Sequence, residues 1–186
     1  MKRRIQFFRE SIKNMKTTGS VTHSSKFLCR GMIKPVDFEN ATLIVELGAG
    51  DGVITKHILK KMRPDAKLLV FEVNQKFCQK VREKIDDDRM ILIEDSAEHL
   101  PDHLKKLGLP KVEFIVSAIP FVALSKEITY KILDVCKDNL VKGGLYIQMH
   151  YSLVLKKTYE RIFGNVKIDF IPVNVPPAFV LVSRKE

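Results

Sequence analysis

From Leu43 onward the chain alternates short apolar runs with stretches of helical character, and that alternation leaves few folds open. LIVEL (43–47), KLLVFEV (67–73), MILIE (90–94) and VEFIVSA (112–118) are near-continuous apolar runs, and GLYIQMHY (144–151) is a fifth strand-like segment. A strand with one wet face alternates apolar with polar residues; a run apolar on both faces belongs in a parallel sheet covered by helices on each side. Helical segments fit the intervals: 53–62, 74–85, a short one near 97–107, and 126–139, with Gly143-Gly144 punctuating the end of the last. Strand alternating with helix gives a doubly wound sheet.

The chain closes differently. After Tyr151 a short helix is expected over 155–163, then two strands, NVKIDFIPV (165–173) and AFVLVSR (178–184). The link VNVPPA leaves no room for a crossover helix, so the two form a hairpin and are antiparallel. The expectation is an α/β unit: a mostly parallel, seven-stranded sheet with helices on both faces and an antiparallel C-terminal strand. A chain of 186 residues suffices for one core. The boundary is expected after residue 30, with 1–30 a basic N-terminal segment covering the site and 31–186 the domain proper.

Thirty-two Lys and Arg against 22 Asp and Glu give a net charge of +10, which favours anionic partners. Nucleic acid and an acidic membrane face satisfy that charge equally. Cys29, Cys78 and Cys136 are far apart and in no metal-ligand spacing, so they read as unpaired, buried thiols, and no metal is expected. His57, His99 and His103 likewise lack paired spacing and read as surface residues. No apolar run approaches the ~18 residues of a membrane span. The N-terminus lacks the h-region of a signal peptide. A cytoplasmic chain is expected, peripherally associated with the inner face of the membrane, and a monomer.

The strongest motif is V-E-L-G-A-G-D-G, residues 45–52, at the end of the first strand. Gly48, Ala49, Gly50 and Gly52 let the backbone turn sharply and approach a ligand. The spacing is G-x-G-x-G, not the G-x-G-x-x-G that sets a helix N-terminus against a pyrophosphate. Glu46, just before the glycines, suits a cationic amino-acid group better than a phosphate. Glu72, followed by Val73, ends the second run 20 residues after Gly52, where a carboxylate accepts from ribose hydroxyls. After the third run, Asp95, Ser96 and Ala97 are placed to receive an adenine amino group, or equally to cap a helix.

These three elements resemble the S-adenosylmethionine site of class I methyltransferases over roughly residues 43–184. The resemblance implies S-adenosylmethionine as cofactor, S-adenosylhomocysteine as product, and a substrate loop after the fourth strand, here Ser117-Ala118-Ile119-Pro120-Phe121. The rRNA adenine dimethyltransferases carry Asn-Leu-Pro-Tyr at this loop; Ser117 in place of Asn departs from them. The Ser-x-x-Pro form resembles the soluble bacterial phospholipid N-methyltransferases. So do the segment 19–28, Gln148-Met149-His150-Tyr151 and Asn174-Val175-Pro176-Pro177-Ala178. That resemblance implies methyl transfer to the amine of phosphatidylethanolamine or its methylated forms. Ser117, Pro120, Phe121, His150 and Tyr151 would then be the substrate-side residues. His150 or Tyr151 would receive the amine proton, and Phe121 would hold the methylammonium by a cation–π contact. His23, Ser24 and Ser25 would cap the cofactor or orient the amine. An adenine N6-methyltransferase of RNA and a catalytically silent S-adenosylmethionine-binding protein are the alternatives.

Residues 2–16 carry six cations and one anion. On a helix, Ile5, Phe8, Ile12 and Met15 form one stripe, flanked by Lys2, Arg9, Lys13 and Lys16 on one side and Arg4 on the other. Such a stripe enters an acyl boundary while its cations reach headgroups, each adding about 1 kcal/mol near an anionic surface. The alternative is a helix packed on the domain.

Overall fold

The apolar runs fold as strands and pair in the order that buries them on both faces. A computed structural model describes residues 25–186. The membrane-facing helix expected at Arg4, Ile5, Phe8, Arg9, Ile12, Lys13 and Lys16 lies outside these residues, as do His23 and Ser24. Strands β1 (Leu43–Leu47), β2 (Lys67–Phe71), β3 (Met90–Ile93), β4 (Val112–Ser117), β5 (Leu140–His150), β6 (Lys167–Ile171) and β7 (Ala178–Arg184) form one sheet, ordered β3-β2-β1-β4-β5-β7-β6. β1 to β5 pair in parallel, and β7 is antiparallel to both β5 and β6. The fold is the Rossmann-like one expected. The order reverses between β1 and β4, which opens a crevice at the carboxyl ends of the strands. Because β6 runs parallel to β5, the β6–β7 turn reaches that same edge.

Among the described residues six α-helices cover the sheet, three on each face. α1 (Lys26–Ile33), α2 (Val53–Leu59) and α3 (Gln75–Lys84) pack on one face, against Ile44, Leu68, Val70, Val116 and Ile147. α4 (Leu100–Lys106), α5 (Lys126–Asn139) and α6 (Lys156–Phe163) cover Val45, Leu69, Phe71, Ile115 and Tyr146 on the other. Alternate residues of each strand thus enter opposite cores, as the pleat requires.

Three expectations need correction. The boundary after residue 30 falls inside α1, whose Leu28, Cys29, Met32 and Ile33 are all buried in the sheet's own core. Each large aliphatic side chain so buried stabilises by roughly 1.5–3 kcal/mol, so α1 belongs to the domain. Gly143-Gly144 does not follow the helix but lies within β5, which begins at Leu140. There Gly143 donates to Lys185 O (2.7 Å), Lys185 donates to Gly144 O (3.0 Å), and the β4 pairing shifts register. The segment near 97–107 is a short 3₁₀ turn (Ala97–His99) followed by α4.

None of the three cysteines is in a disulfide, and all three are buried. Among the described residues no helix is long and apolar enough to cross a membrane, and no cluster of His, Cys, Asp and Glu could hold a metal ion.

Candidate active site

The glycine loop sits at the switch point with its neighbours fixed by backbone hydrogen bonds. Gly48 N–H donates to Phe71 O (2.8 Å), and Ala118 N–H donates to Leu47 O (2.9 Å), tying the loop to β2 and to the segment after β4. Gly48 has φ +77°, and a Cβ there would press on Ile119 at 3.3 Å, so the loop and the 117–121 segment lie in close contact. Gly50, at φ +56°, is different: a Cβ would meet nothing within 4 Å. Its bare face opens outward, as a ligand approaching the backbone requires.

Glu46 reaches into the α1–α3 side of β1 and is almost wholly buried (1% exposed). Neither carboxyl oxygen has a hydrogen-bond partner among the described residues, and the buried hydroxyl of Thr55 is also unsatisfied. Burial pushes the Glu46 carboxyl up to about 8; the nearby Thr55 tempers the rise and the Glu72 charge adds to it. An unsatisfied carboxyl in a dry site is costly unless a cation meets it. Glu72, also buried, accepts from Gly50 N–H (3.0 Å) and Asn74 N–H (2.8 Å). It therefore holds the glycine loop and the entry to α3 together beside Val73.

After β3, Asp95 is held from three sides. Its Oδ1 accepts from Ser96 N–H (2.7 Å) and lies 2.9 Å from His99 Nδ1, while its Oδ2 lies 3.0 Å from His103 Nε2. Partial burial pushes this carboxyl up, but the bonds to His103, His99 and Ser96 outweigh it and leave it below its ordinary value. Ser96 caps the 3₁₀ turn through Glu98 N–H, and Ala97 is buried behind it. His99 and His103 are thus not free surface residues: they brace the Asp95 carboxyl, with His103 edge-on to Phe71. Spacing could have put His99 and His103, four apart, on one face, but not Asp95, which lies in the bend before the helix.

The substrate side departs further from expectation. Ser117 is fully buried, and its Oγ accepts from Ile119 N–H (3.4 Å), so it shapes the turn. Phe121 enters the α4–α6 core (1% exposed), which removes its ring from any cation in the crevice; Pro120 beside it is half-buried. His150 is buried, with Nε2 2.9 Å from Tyr159 Oη, and burial pushes its imidazole down to about 4. A neutral ring of that basicity is poorly suited to take a proton from an ammonium. Tyr151 is partly exposed at the end of β5. Ser25 caps α1 through Leu28 N–H (3.2 Å) and donates its own N–H to Asn174 Oδ1 (3.1 Å), which places the start of α1 on the crevice edge.

Sequence reasoning missed a polar ladder on the buried α4–α6 face. Tyr146 Oη donates to Gln148 Oε1 (2.9 Å), and Gln148 Nε2 donates to Ile119 O (3.0 Å) and Met149 O (2.8 Å). Gln148 and Ser117 stand opposite each other in the β4–β5 register. A fully buried Gln with both ends bonded fixes the 117–121 loop from below.

The family described as "Methyltransferase small domain" matches residues 11–170. The chain belongs to that family. It is an S-adenosylmethionine-dependent class I methyltransferase, as its fold and its relatives agree. The ornithine lipid N-methyltransferase of Singulisphaera acidiphila is 31% identical over 174 residues, spanning 92% of this methyltransferase and 91% of that protein. Ribosomal RNA small subunit methyltransferase A of Mycoplasma mycoides is 27% identical over 146 residues, 76% of this chain but 52% of that one. Among solved structures, the precorrin-6y C5,15-methyltransferase of Geobacter metallireducens superposes with a TM-score of 0.68 at 12% identity, covering 86% of this chain and 88% of that one. A spermidine synthase in complex with the transition-state analogue AdoDATO gives 0.67 at 15% identity, over 87% and 61%. These two likenesses concern the fold. The residues present fit the cofactor of the family: the unsatisfied Glu46 carboxyl suits the ammonium of its methionine part, and Gly50 leaves the backbone open beside it.

Proposed function

We propose that this methyltransferase transfers methyl groups to the amine headgroup of a membrane lipid, phosphatidylethanolamine or an ornithine-type lipid. One observation carries the reading: the likeness to a lipid N-methyltransferase runs end to end in both proteins, 92% and 91%. The chain spans about half the length of the Mycoplasma rRNA enzyme. The matches to rRNA methyltransferases make RNA the second substrate to test.

S-adenosylmethionine, when bound, supplies an electrophilic methyl on a sulfonium. The chain's own residues then bind and align. Glu46, ionised by the arriving ammonium, anchors the amino-acid end; Glu72 receives ribose hydroxyls while keeping the glycine loop shaped; Asp95, braced by two histidines, faces the adenine end. The bound cofactor would give its methyl to the lipid amine, leaving as S-adenosylhomocysteine, and the amine proton would pass to water. Tyr151, exposed at the end of β5, is the side chain placed to orient that amine. Holding amine and methyl in a near-attack geometry accounts for most of the acceleration such a displacement needs. His150 and Phe121 act from below, by packing.

The test is transfer of radiolabelled methyl from S-adenosylmethionine to vesicles containing phosphatidylethanolamine or ornithine lipid, beside unmodified ribosomal RNA. Label in the lipid fraction is the expected result; label in RNA alone would overturn the lipid reading and leave the fold and cofactor standing.

A further inference from the structure

Nine large apolar side chains are well exposed among the described residues, and seven of them occupy one edge of the sheet. Phe27 lies in the first turn of α1, Val122 follows β4, Leu153 and Val154 follow β5 together with Tyr151, and Val173 and Val175 sit in the β6–β7 turn. Topology brings these segments together. β4, β5 and β6 are parallel, so the segments that follow them emerge at the same end, and Ser25 is bonded to Asn174 in the β6–β7 turn. Exposure is far from marginal: Val122 is 62% exposed, Val154 70% and Val175 80%. Asn174 between the two turn valines is buried and bonds both Ser25 N–H and Pro176 O, which fixes the turn with Val173 and Val175 outward.

Charge on this edge is divided. The segments 25–30, 119–126, 151–157 and 171–178 contain Lys26, Arg30, Lys126, Lys156 and Lys157 and no Asp or Glu. The carboxylates Glu46, Asp51, Glu72, Glu94 and Asp95 all stand on the other half, at the ends of β1, β2 and β3.

We propose that the apolar rim of the β4–β6 half is a docking surface for an anionic lipid bilayer, with Val122, Val154, Val173 and Phe27 entering the headgroup–acyl boundary. The proposal rests on the lipid-headgroup reading above and deepens it. Separate apolar tips in segments whose charged residues are all cations match an interfacial membrane contact. Lys26 lies 5.4 Å from the Phe27 ring, a pairing of apolar body and cationic head that suits the same boundary. An RNA backbone would meet the cations but would leave the valines in water. Ser25, the first of the described residues, stands at this edge, and in the sequence that precedes it residues 2–16 carry six cations and one anion. A bilayer on this rim presents its headgroups to the crevice, so the amine reaches the methyl without the lipid leaving the membrane.

The experiment measures partitioning of the full chain onto vesicles of phosphatidylglycerol and phosphatidylethanolamine, for wild type and for the double variant Val154→Asp with Val173→Asp. Cofactor affinity and melting temperature serve as controls for folding. The variant should partition about tenfold less or worse, with cofactor affinity unchanged and turnover of a short-chain, monomeric aminolipid retained. Equal partitioning of a folded variant would overturn the rim. So would a wild type that ignores vesicles and dimerises through this face in a way the variant abolishes. Rim-dependent vesicle binding without methylation of any lipid would uphold the docking surface and sink the lipid-substrate reading.

Discussion

Replacing Glu46 with Gln should make the cofactor-free protein more stable and its cofactor binding weaker. The carboxyl is buried without a hydrogen-bond partner among the described residues, and burial raises it from 4.5 to about 8. A folded-state value above the unfolded one means the fold favours the neutral form. That stabilisation is fully present below about pH 4.5 and is lost as pH rises through about 8. At pH 7 the unfolded chain carries an ionised Glu where the folded chain still holds the acid, a relative cost to the fold of about 3 kcal/mol, approaching about 5 kcal/mol above pH 8. Gln keeps the shape and never ionises. For a domain of this size the variant should melt on the order of 10 °C higher near pH 8 and with little difference near pH 5. Thermal scans of both proteins from pH 5 to 9 without cofactor read this directly. Titration calorimetry should show the opposite trend: wild-type affinity strengthens as pH rises toward 8, while Glu46→Gln binds about 10- to 100-fold more weakly, the worth of one charge-assisted hydrogen bond. A variant less stable than wild type at pH 8, or a gain independent of pH, would refute the buried-acid argument. Carboxylates held against their preference concentrate where a ligand must be met.

Four further substitutions probe the remaining parts. Glu72→Ala removes the acceptor for Gly50 and Asn74 and should weaken cofactor binding about tenfold or more; unchanged affinity in calorimetry would remove Glu72 from the site. Gly50→Ala forces a Cβ residue to φ +56° in open space, costing about 1–3 kcal/mol of stability. Cofactor affinity should fall further than melting temperature, and an affinity that tracks stability alone would mean no ligand crosses that face. Gln148→Leu strands Tyr146 Oη and Ile119 O in the core, so kcat should fall while cofactor Kd holds; a Kd loss as large as the kcat loss would point to general unfolding. Leu28→Ala should cost about 3–5 kcal/mol in denaturant unfolding if α1 is part of the core, and under 1 kcal/mol if the domain began at residue 31.

Much of the scaffold was legible because periodicity and punctuation carried it. The doubly apolar runs gave β1 to β4, and VNVPPA, too short for a helix, gave the antiparallel hairpin of β6 and β7. Helix ends were readable where a cap stood in the sequence, as at Ser125 before α5 and Asn74 before α3. Gly143-Gly144 misled because a glycine pair marks a helix end and a strand bulge alike; only its bonds to Lys185 decide between them. Glu46, Glu72 and Asp95 could be set at the crevice because each stands at or just beyond the end of one of the strands β1 to β3. Their electrostatic state was not: that Glu46 lacks a hydrogen-bond partner and that Asp95 is braced by His99 and His103 depend on what lies across from them in space.

The substrate half shows why the same reasoning weakened there. Ser117 and Phe121 were chosen from the loop after β4 and His150 from the end of β5, yet strand alternation turns Ser117 and His150 inward, and Phe121, beyond β4, packs into the same α4–α6 core. Ser117 and Gln148 stand opposite in register, and His150 lies two residues beyond Gln148 on the same side of β5. That parity could have been counted from β4 and β5 alone: Ile115 and Tyr146 are core residues, so 117, 148 and 150 must follow them inward. What remains outward is Tyr151, the last residue of the 148–151 motif, with Val122, Leu153 and Val154, which no motif emphasised. The named loop residues therefore build a stiff floor, with Gln148 gripping Ile119 O, and the chemistry facing the substrate is apolar and cationic. A floor of buried hydrogen bonds beneath an oily rim suits the proposed lipid substrate, and on that reading Tyr151, at the end of β5, is the side chain left to meet the headgroup.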